Sequence, residues 1–369
     1  MKNWHVLTAA AVLSLPAVAG AATPANELRI TSIDVEGGAA TLYVTPGGKS
    51  LLIDTGWPVG LGGPRPVAGA APPPPATTSA ARIAAAAKAA GINKIDYLLI
   101  THYHVDHVGG LQSLLELMPV GTFIDHGPNR ETPPAGATPA QLAYATSTLY
   151  PKYLASIAGK KHIVMKPGQT LNIDGLVLTA INADGVPLAK PLPGAGKPGL
   201  NCAAATTQSK DGGEENTRSL GIVATWGKAR ILSLGDTIWN LENQLACARD
   251  LIGPVDLMFT THHGSNLSGS PLLYSAVKPT VAITMNGPTK GGDPEVFDTL
   301  MASPRIKGVW QLHTAIKSGP DKNPPPEQIA NLAEGPDAAN PLQVVVDKSG
   351  IVTVTNTRNN VSKTYPKAL

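Results

Sequence analysis

Residues 95–107 read Ile95-Asp96-Tyr97-Leu98-Leu99-Ile100-Thr101-His102-Tyr103-His104-Val105-Asp106-His107. The first seven are a nearly continuous apolar run, the pattern of a short strand buried on both faces. That run passes without a break into a cluster of imidazoles and a carboxylate. Upstream, Arg29–Val35, Thr41–Val44 and Ser50–Asp54 are β-rich and separated by Gly-Gly turns. Asp54-Thr55-Gly56 opens a low-complexity insertion, residues 58–78, that contains Pro72–Pro75. Ser79 then stands as the N-cap of an Ala-rich helix, Ala80–Ala90, stopped by Gly91. Downstream, a helix over Gly110–Met118 ends at Pro119, and a strand over Gly121–Asp125 ends at His126.

The rest of the chain repeats this alternation. A helix is predicted over Pro139–Ile157, strands over Lys161–Met165 and Leu171–Thr179, and a Pro/Gly-rich loop over Pro187–Gly199. Strands follow over Ser219–Thr225 and Ala229–Leu234, then the turn Gly235-Asp236-Thr237. Strand Asp256–Thr260 meets His262-His263-Gly264, helix Pro271–Val277 follows, and strand Gly308–Leu312 ends at His313. Leu342–Val354 reads as a hairpin turned at Lys348-Ser349-Gly350. Polar clusters thus fall at strand ends, where loops carry chemistry beyond a sheet edge. Two similar mixed halves predict an α/β (α+β) two-sheet sandwich flanked by helices rather than one doubly wound sheet.

Composition narrows the partners. Against 29 Lys+Arg stand 26 Asp+Glu, a net charge of +3, and aromatic residues make up 4%. A generic polyanion binder needs a basic excess or a basic, aromatic-studded groove, so no specific nucleic-acid binding is expected beyond a nucleic acid as substrate. Lys2, the short apolar stretch Val6–Val18 and the small residues Ala19-Gly20-Ala21 have the form of a cleaved export signal over residues 1–22. The apolar stretch is shorter than the ~20 residues of a membrane span. Residues 23–369 are therefore expected to be a single domain, secreted or periplasmic, with no membrane span. Cys202 and Cys247 are either a disulfide, which persists in such a compartment, or two unrelated thiols.

Seven of the nine histidines sit in the strand-end clusters, and His102-x-His104-x-Asp106-His107 is the centre of them. Two imidazoles at i and i+2 after a strand can address one metal from an extended backbone, while Asp106 and His107 turn toward a second. Imidazole and carboxylate are ligands that Zn²⁺ takes at about 2.0–2.2 Å; Mn or Fe can occupy similar sites. His126, at the end of the next strand, is read either as a ligand or near-site group or as a loop-satisfying hydrogen-bonder. His262 and His263 cannot both point inward if their segment is extended, since neighbours alternate faces. His313 is expected to face the substrate or support the ligands.

HYHVDH at 102–107 resembles the HxHxDH signature of the metallo-β-lactamase superfamily, and further motifs resemble it in order. The resemblance implies a four-layer αββα sandwich with two metal ions, expected to be Zn, at the sheet edges. Asp54 in LLIDTG would orient the metal loop, and Asp236 in LSLGDT would bridge the metals. His263 in THHGSN would ligate the second metal, with Asp106 and His107. His102 and His104 would hold the first. Asp106 is the candidate catalytic residue, steering a bridging hydroxide. Within the superfamily the chain looks most like the hydrolase domain of ComEC-type competence proteins and its secreted stand-alone relatives. It departs from their DVGQGD at Asp34-Val35-Glu36-Gly37-Gly38-Ala39. The implied function is hydrolysis of a small-molecule or ester substrate, phosphodiesters first. The alternatives are a lactonase or β-lactamase-like hydrolase, and a non-catalytic exported metal-binding protein.

Overall fold

The computed structural model describes residues 26–62, 78–198, 202, 214–333 and 338–367. The export-signal reading and residues 63–77 of the predicted insertion lie outside the described residues.

The apolar run forms strand Ile95–Leu99, paired in parallel between Ser50–Ile53 and Val120–Asp125. It is buried on both faces, as its lack of alternation predicts. Leu99 faces a core shared with Ile53, Ile124, Phe259 and Trp310. Leu98 packs the other way, with Leu52, Ile83, Leu114 and Tyr153. A third core joins Leu232, Met258 and Ala282 to Leu245, Leu273 and Val296. Helix, sheet, sheet, helix: three cores make the four layers.

The first sheet runs, edge to edge, Val361–Tyr365, Val352–Asn356, Leu342–Asp347, Glu27–Ser32, Thr41–Val44, Ser50–Ile53, Ile95–Leu99, Val120–Asp125 and Lys161–Val164. Its last four strands are parallel. The second sheet has five parallel strands, Ala229–Ser233, Leu257–Phe259, Val281–Thr284, Gly308–His313 and Ile329–Asn331. Beyond Ala229–Ser233 it continues antiparallel through Gly221–Trp226, Leu176–Ala183 and Thr170–Ile173. Parallel strands deliver all their carboxyl ends to one edge, the usual place for ligands in such sheets. Asp54, His102, His126, Asp236, His262, His263 and His313 all lie at or just past such ends.

Several local expectations are corrected. Leu171–Thr179 is not one strand but a hairpin, Thr170–Ile173 and Leu176–Ala183, turned at Asp174-Gly175 with φ of 52° and 89°; Asp-Gly is the favoured pair for such a turn. The helix over 139–157 is two, Pro139–Ala143 and Thr146–Ile157, and the second starts in a Thr-Ser-Thr run of weak helix formers. Thr78, not Ser79, caps helix Ser79–Ala89 by accepting from the Ala81 N–H. The Ser79 hydroxyl instead accepts from the Trp57 N–H at 3.1 Å and ties down the loop entering the insertion. Helix Trp239–Ala246 and strand Val361–Tyr365 were not foreseen. Cys202 and Cys247 form a disulfide with Cα atoms 5.3 Å apart. Among the described residues no helix is long and apolar enough to cross a membrane.

Candidate metal centre

Asp54, directly after strand Ser50–Ile53, adopts a left-handed backbone (φ 61°) that turns its carboxylate under the loop after Leu99. There it accepts from the Thr101 N–H and the Thr101 hydroxyl, each at 2.8 Å, and from His107 Nδ1 at 2.7 Å. Thr101 Oγ1, having spent its proton on Asp54, accepts from His102 Nδ1 at 3.0 Å. Both imidazoles therefore donate from Nδ1 and turn Nε2, the atom left to ligate, toward the cleft. A carboxylate behind a ligating histidine has the same effect in metal sites generally.

Asp236 comes from the other sheet, on the turn after Ala229–Ser233. Gly235 makes that turn possible: its φ is +57°, and a Cβ there would lie 2.9 Å from the Thr101 side chain. Asp236 Oδ2 stands 3.2 Å from His107 Nε2, 3.9 Å from His102 Nε2 and 3.5 Å from His263 Nε2. His263 Nδ1 donates to the Met285 carbonyl at 3.0 Å, so its Nε2 also faces inward, 3.2 Å from His107 Nε2 and 3.1 Å from Asp106 Oδ2.

Asp106, His107, Asp236 and His263 thus bring one ligand atom each within 4.8 Å of one another, all four buried. Two imidazole nitrogens and two carboxylates face each other away from water. Such a set is costly unless a cation stands among them. Beside it, His102 Nε2 lies 3.1 Å from His104 Nδ1. His104 is turned that way by Glu131, whose Oε2 lies 3.3 Å from its Nε2. The donor chemistry fits divalent metal ions.

The titration pattern reflects the same crowding. Burial alone would raise the Asp106 carboxyl, but Lys290 and His107 beside it hold it well below the usual carboxylate range. Burial would likewise raise Asp236, and His107, His262 and His263 hold it down. His107, which burial would lower, is pushed well up by Asp236, Asp106 and Asp54. His102 is lowered by burial and by His107.

A family model of the metallo-beta-lactamase superfamily matches residues 33–188, which carry the whole His102–His107 motif. Over those residues the chain carries the pattern of the metallo-beta-lactamase superfamily. The sandwich described above is the fold of that superfamily, and the match implies divalent metal ions. Among solved structures, this chain is similar to CmlA, a diiron beta-hydroxylase from Streptomyces venezuelae (TM-score 0.37, 16% identity, 71% of this chain and 45% of that one). It is also similar to a metal-dependent hydrolase of the beta-lactamase superfamily (TM-score 0.43, 12% identity, 78% and 96%) and to a diphosphatase from the PhnP family (TM-score 0.36, 13% identity, 70% and 87%). The chain spans about half the length of CmlA. No curated protein matches it.

Three other histidines singled out in the sequence lie at the same sheet edge. His126 Nε2 is bonded to the fully buried Glu215 at 2.8 Å and its ring lies against Tyr103; it is not gathered with the four donors. His313 Nε2 bonds Asp34 Oδ1 at 2.7 Å, in a network in which Arg82 bridges Asp34 and Glu36. His262 does not alternate with His263. Thr261–Gly264 is a turn with both histidines at positive φ, 54° and 55°, so both imidazoles reach Asp236, His262 Nε2 at 3.4 Å. The premise of an extended segment fails there.

Three contributors escaped the sequence reading. Lys290 pairs with Asp106, Glu131 holds His104, and Glu215 links His126 to the Glu131 loop through its own N–H. None of the three sits in a motif; Lys290 and Glu131 each lie in the loop beyond a strand end.

Proposed function

We propose that this chain is a metal-dependent hydrolase acting on phosphodiester-type substrates. The observation that carries the reading is the convergence of Asp106, His107, Asp236 and His263, with Nε2 of both imidazoles aimed into a buried space at the strand-end edge. His102 and His104, with Asp236, would hold one ion; Asp106, His107 and His263, with Asp236, the other. The mixed imidazole and carboxylate set suits Zn²⁺ first and Mn²⁺ or iron next. When bound, such ions polarise a phosphoryl oxygen and lower the pKa of water from about 15.7 toward ~7.

The chain's own groups do the rest. Asp54 and Thr101 fix the ring orientations of His107 and His102, so that Nε2 of each would be the atom offered to a metal ion. Asp106, held ionised, accepts a hydrogen bond from the attacking water and aligns it. In hydrolysis one bond forms from the water oxygen to phosphorus, one ester P–O bond breaks, and the water proton ends on the departing alcohol. The near-neutral net charge favours a small diester over a nucleic acid. We place the protein in the secreted or periplasmic space, a reading supported by Lys2, the Val6–Val18 stretch and the Cys202–Cys247 disulfide. The ComEC-type likeness rests on the motifs alone.

Elemental analysis of the purified chain, followed by a panel of bis-p-nitrophenyl phosphate, a lactone and a cephalosporin, tests the proposal. Two equivalents of a divalent metal and turnover of the diester are expected. Bound metal with no turnover of any panel member would make the chain a metal-binding protein instead.

A further inference from the structure

Lys290 belongs to the loop after strand Val281–Thr284, yet its ammonium reaches across to the other half of the sandwich. It pairs with Asp106, donates to the Gly37 carbonyl at 2.7 Å, and lies 5.0 Å from the centre of the Trp57 ring. This placement is built into the backbone. The Gly287 N–H closes on the Lys290 carbonyl at 2.9 Å, and the same loop braces His263, whose carbonyl accepts from the Gly292 N–H at 2.8 Å. Gly37 (φ +78°) lets the two loops touch: a Cβ there would lie 2.8 Å from the Gly287 nitrogen and 3.3 Å from the Lys290 Cβ.

The lysine side chain is 36% exposed and Asp106 only 10%, so Lys290 runs from the mouth of the cleft to its metal-facing floor. A divalent cation on Asp106 competes for that carboxylate and repels the ammonium. The partners left to Lys290 are a carbonyl and an aromatic face, both uncharged. They still hold the cation at the mouth but leave its charge unmatched.

We infer that Lys290, steadied by Gly37 and Trp57, is an anion-recognition residue that selects substrates carrying a negatively charged oxygen group, phosphoryl or carboxylate, beside the bond to be cleaved. This rests on the reading above that Asp106 engages a metal ion. The ammonium exchanges the Asp106 carboxylate for the substrate anion.

The test compares Zn²⁺-loaded wild type with Lys290→Met and Lys290→Arg. Inorganic phosphate and acetate are titrated by calorimetry, and turnover is measured on bis-p-nitrophenyl phosphate, its neutral methyl triester and a cephalosporin carboxylate. Lys290→Met is expected to weaken phosphate binding at least about 10-fold and to raise KM for the anionic diester by a similar factor. The triester should lose clearly less than the diester, and Lys290→Arg should recover most of the diester loss. Acetate and the cephalosporin report whether carboxylates share the site. Equal phosphate affinity in wild type and Lys290→Met, or equal losses on diester and triester, would overturn the inference while leaving the hydrolase reading intact. Lys290-dependent phosphate binding without turnover of any substrate would sink the hydrolase reading and leave the anion site standing.

Discussion

Asp106 is a small side chain with competing claims on it: Lys290 on one oxygen, with His107 and His263 at 3.4 and 3.1 Å. A carboxylate so placed is held by its surroundings and does not itself hold the fold together. Asp106→Asn keeps the shape and removes the charge. Turnover of the diester should fall by roughly 10³-fold or more, while the metal-free melting temperature moves by only a few degrees. Activity within about twofold of wild type would remove Asp106 from the mechanism. Glu131 acts one step further out. It has no signal in Pro128-Asn129-Arg130-Glu131, because its role depends on a loop folding back over His104. Glu131→Gln keeps the hydrogen bond in one amide orientation only, and is expected to weaken metal binding about 10-fold or more, read by competition with a chelator.

At the scale of elements, helix Trp239–Ala246 does what no single motif announces. It starts three residues after Asp236, and its buried Glu242 accepts from the Gly269 and Ser270 N–H groups at 2.9 and 2.7 Å. Ser270 in turn caps helix Pro271–Val277. One carboxyl therefore joins the Asp236 turn to the loop that follows His263. Burial raises its pKa from 4.5 to about 7, the backbone donors offsetting part of that cost. The folded state holds the proton more tightly than the unfolded one, so this group favours the fold below pH 4.5. Its contribution declines as pH rises through the window up to about 7, by about 3 kcal/mol in all. Urea unfolding at pH 5 and pH 8 should show that decline in wild type and lose most of it in Glu242→Gln. Parallel pH dependences in the two proteins would assign the effect to other groups.

Across the whole molecule, the four gathered donors come two from each half of the sandwich. Asp106 and His107 follow a strand of the first sheet; Asp236 and His263 follow strands of the second. A cation bound among them ties the halves together and stabilises only the folded chain. At a thousandfold excess over the dissociation constant that linkage is worth about 4 kcal/mol. For a chain of this size, stripping the metal with a chelator should lower the melting temperature by roughly 5–10 °C, and Zn²⁺ should restore it. An unchanged melting curve would mean that no ion bridges the halves.

The residues themselves determined what depends on neighbours in the chain. The unalternating run Ile95–Thr101 had to be a strand buried on both faces, and His102-x-His104-x-Asp106-His107 had to emerge together at its end, because strand burial and ligand spacing are local properties. The mixed strand and helix pattern in two halves was enough for the layered sandwich. What joins distant stretches was decided by tertiary structure. His126 turned to Glu215, and His313 to Asp34, because a strand end specifies an edge but not the side-chain partner waiting there. His262 and His263 both reach Asp236 because a left-handed turn, stabilised by its packing, replaced the extended backbone that would have separated them. Lys290 meets Asp106 across 184 residues, an approach set by which loops the two sheets bring face to face.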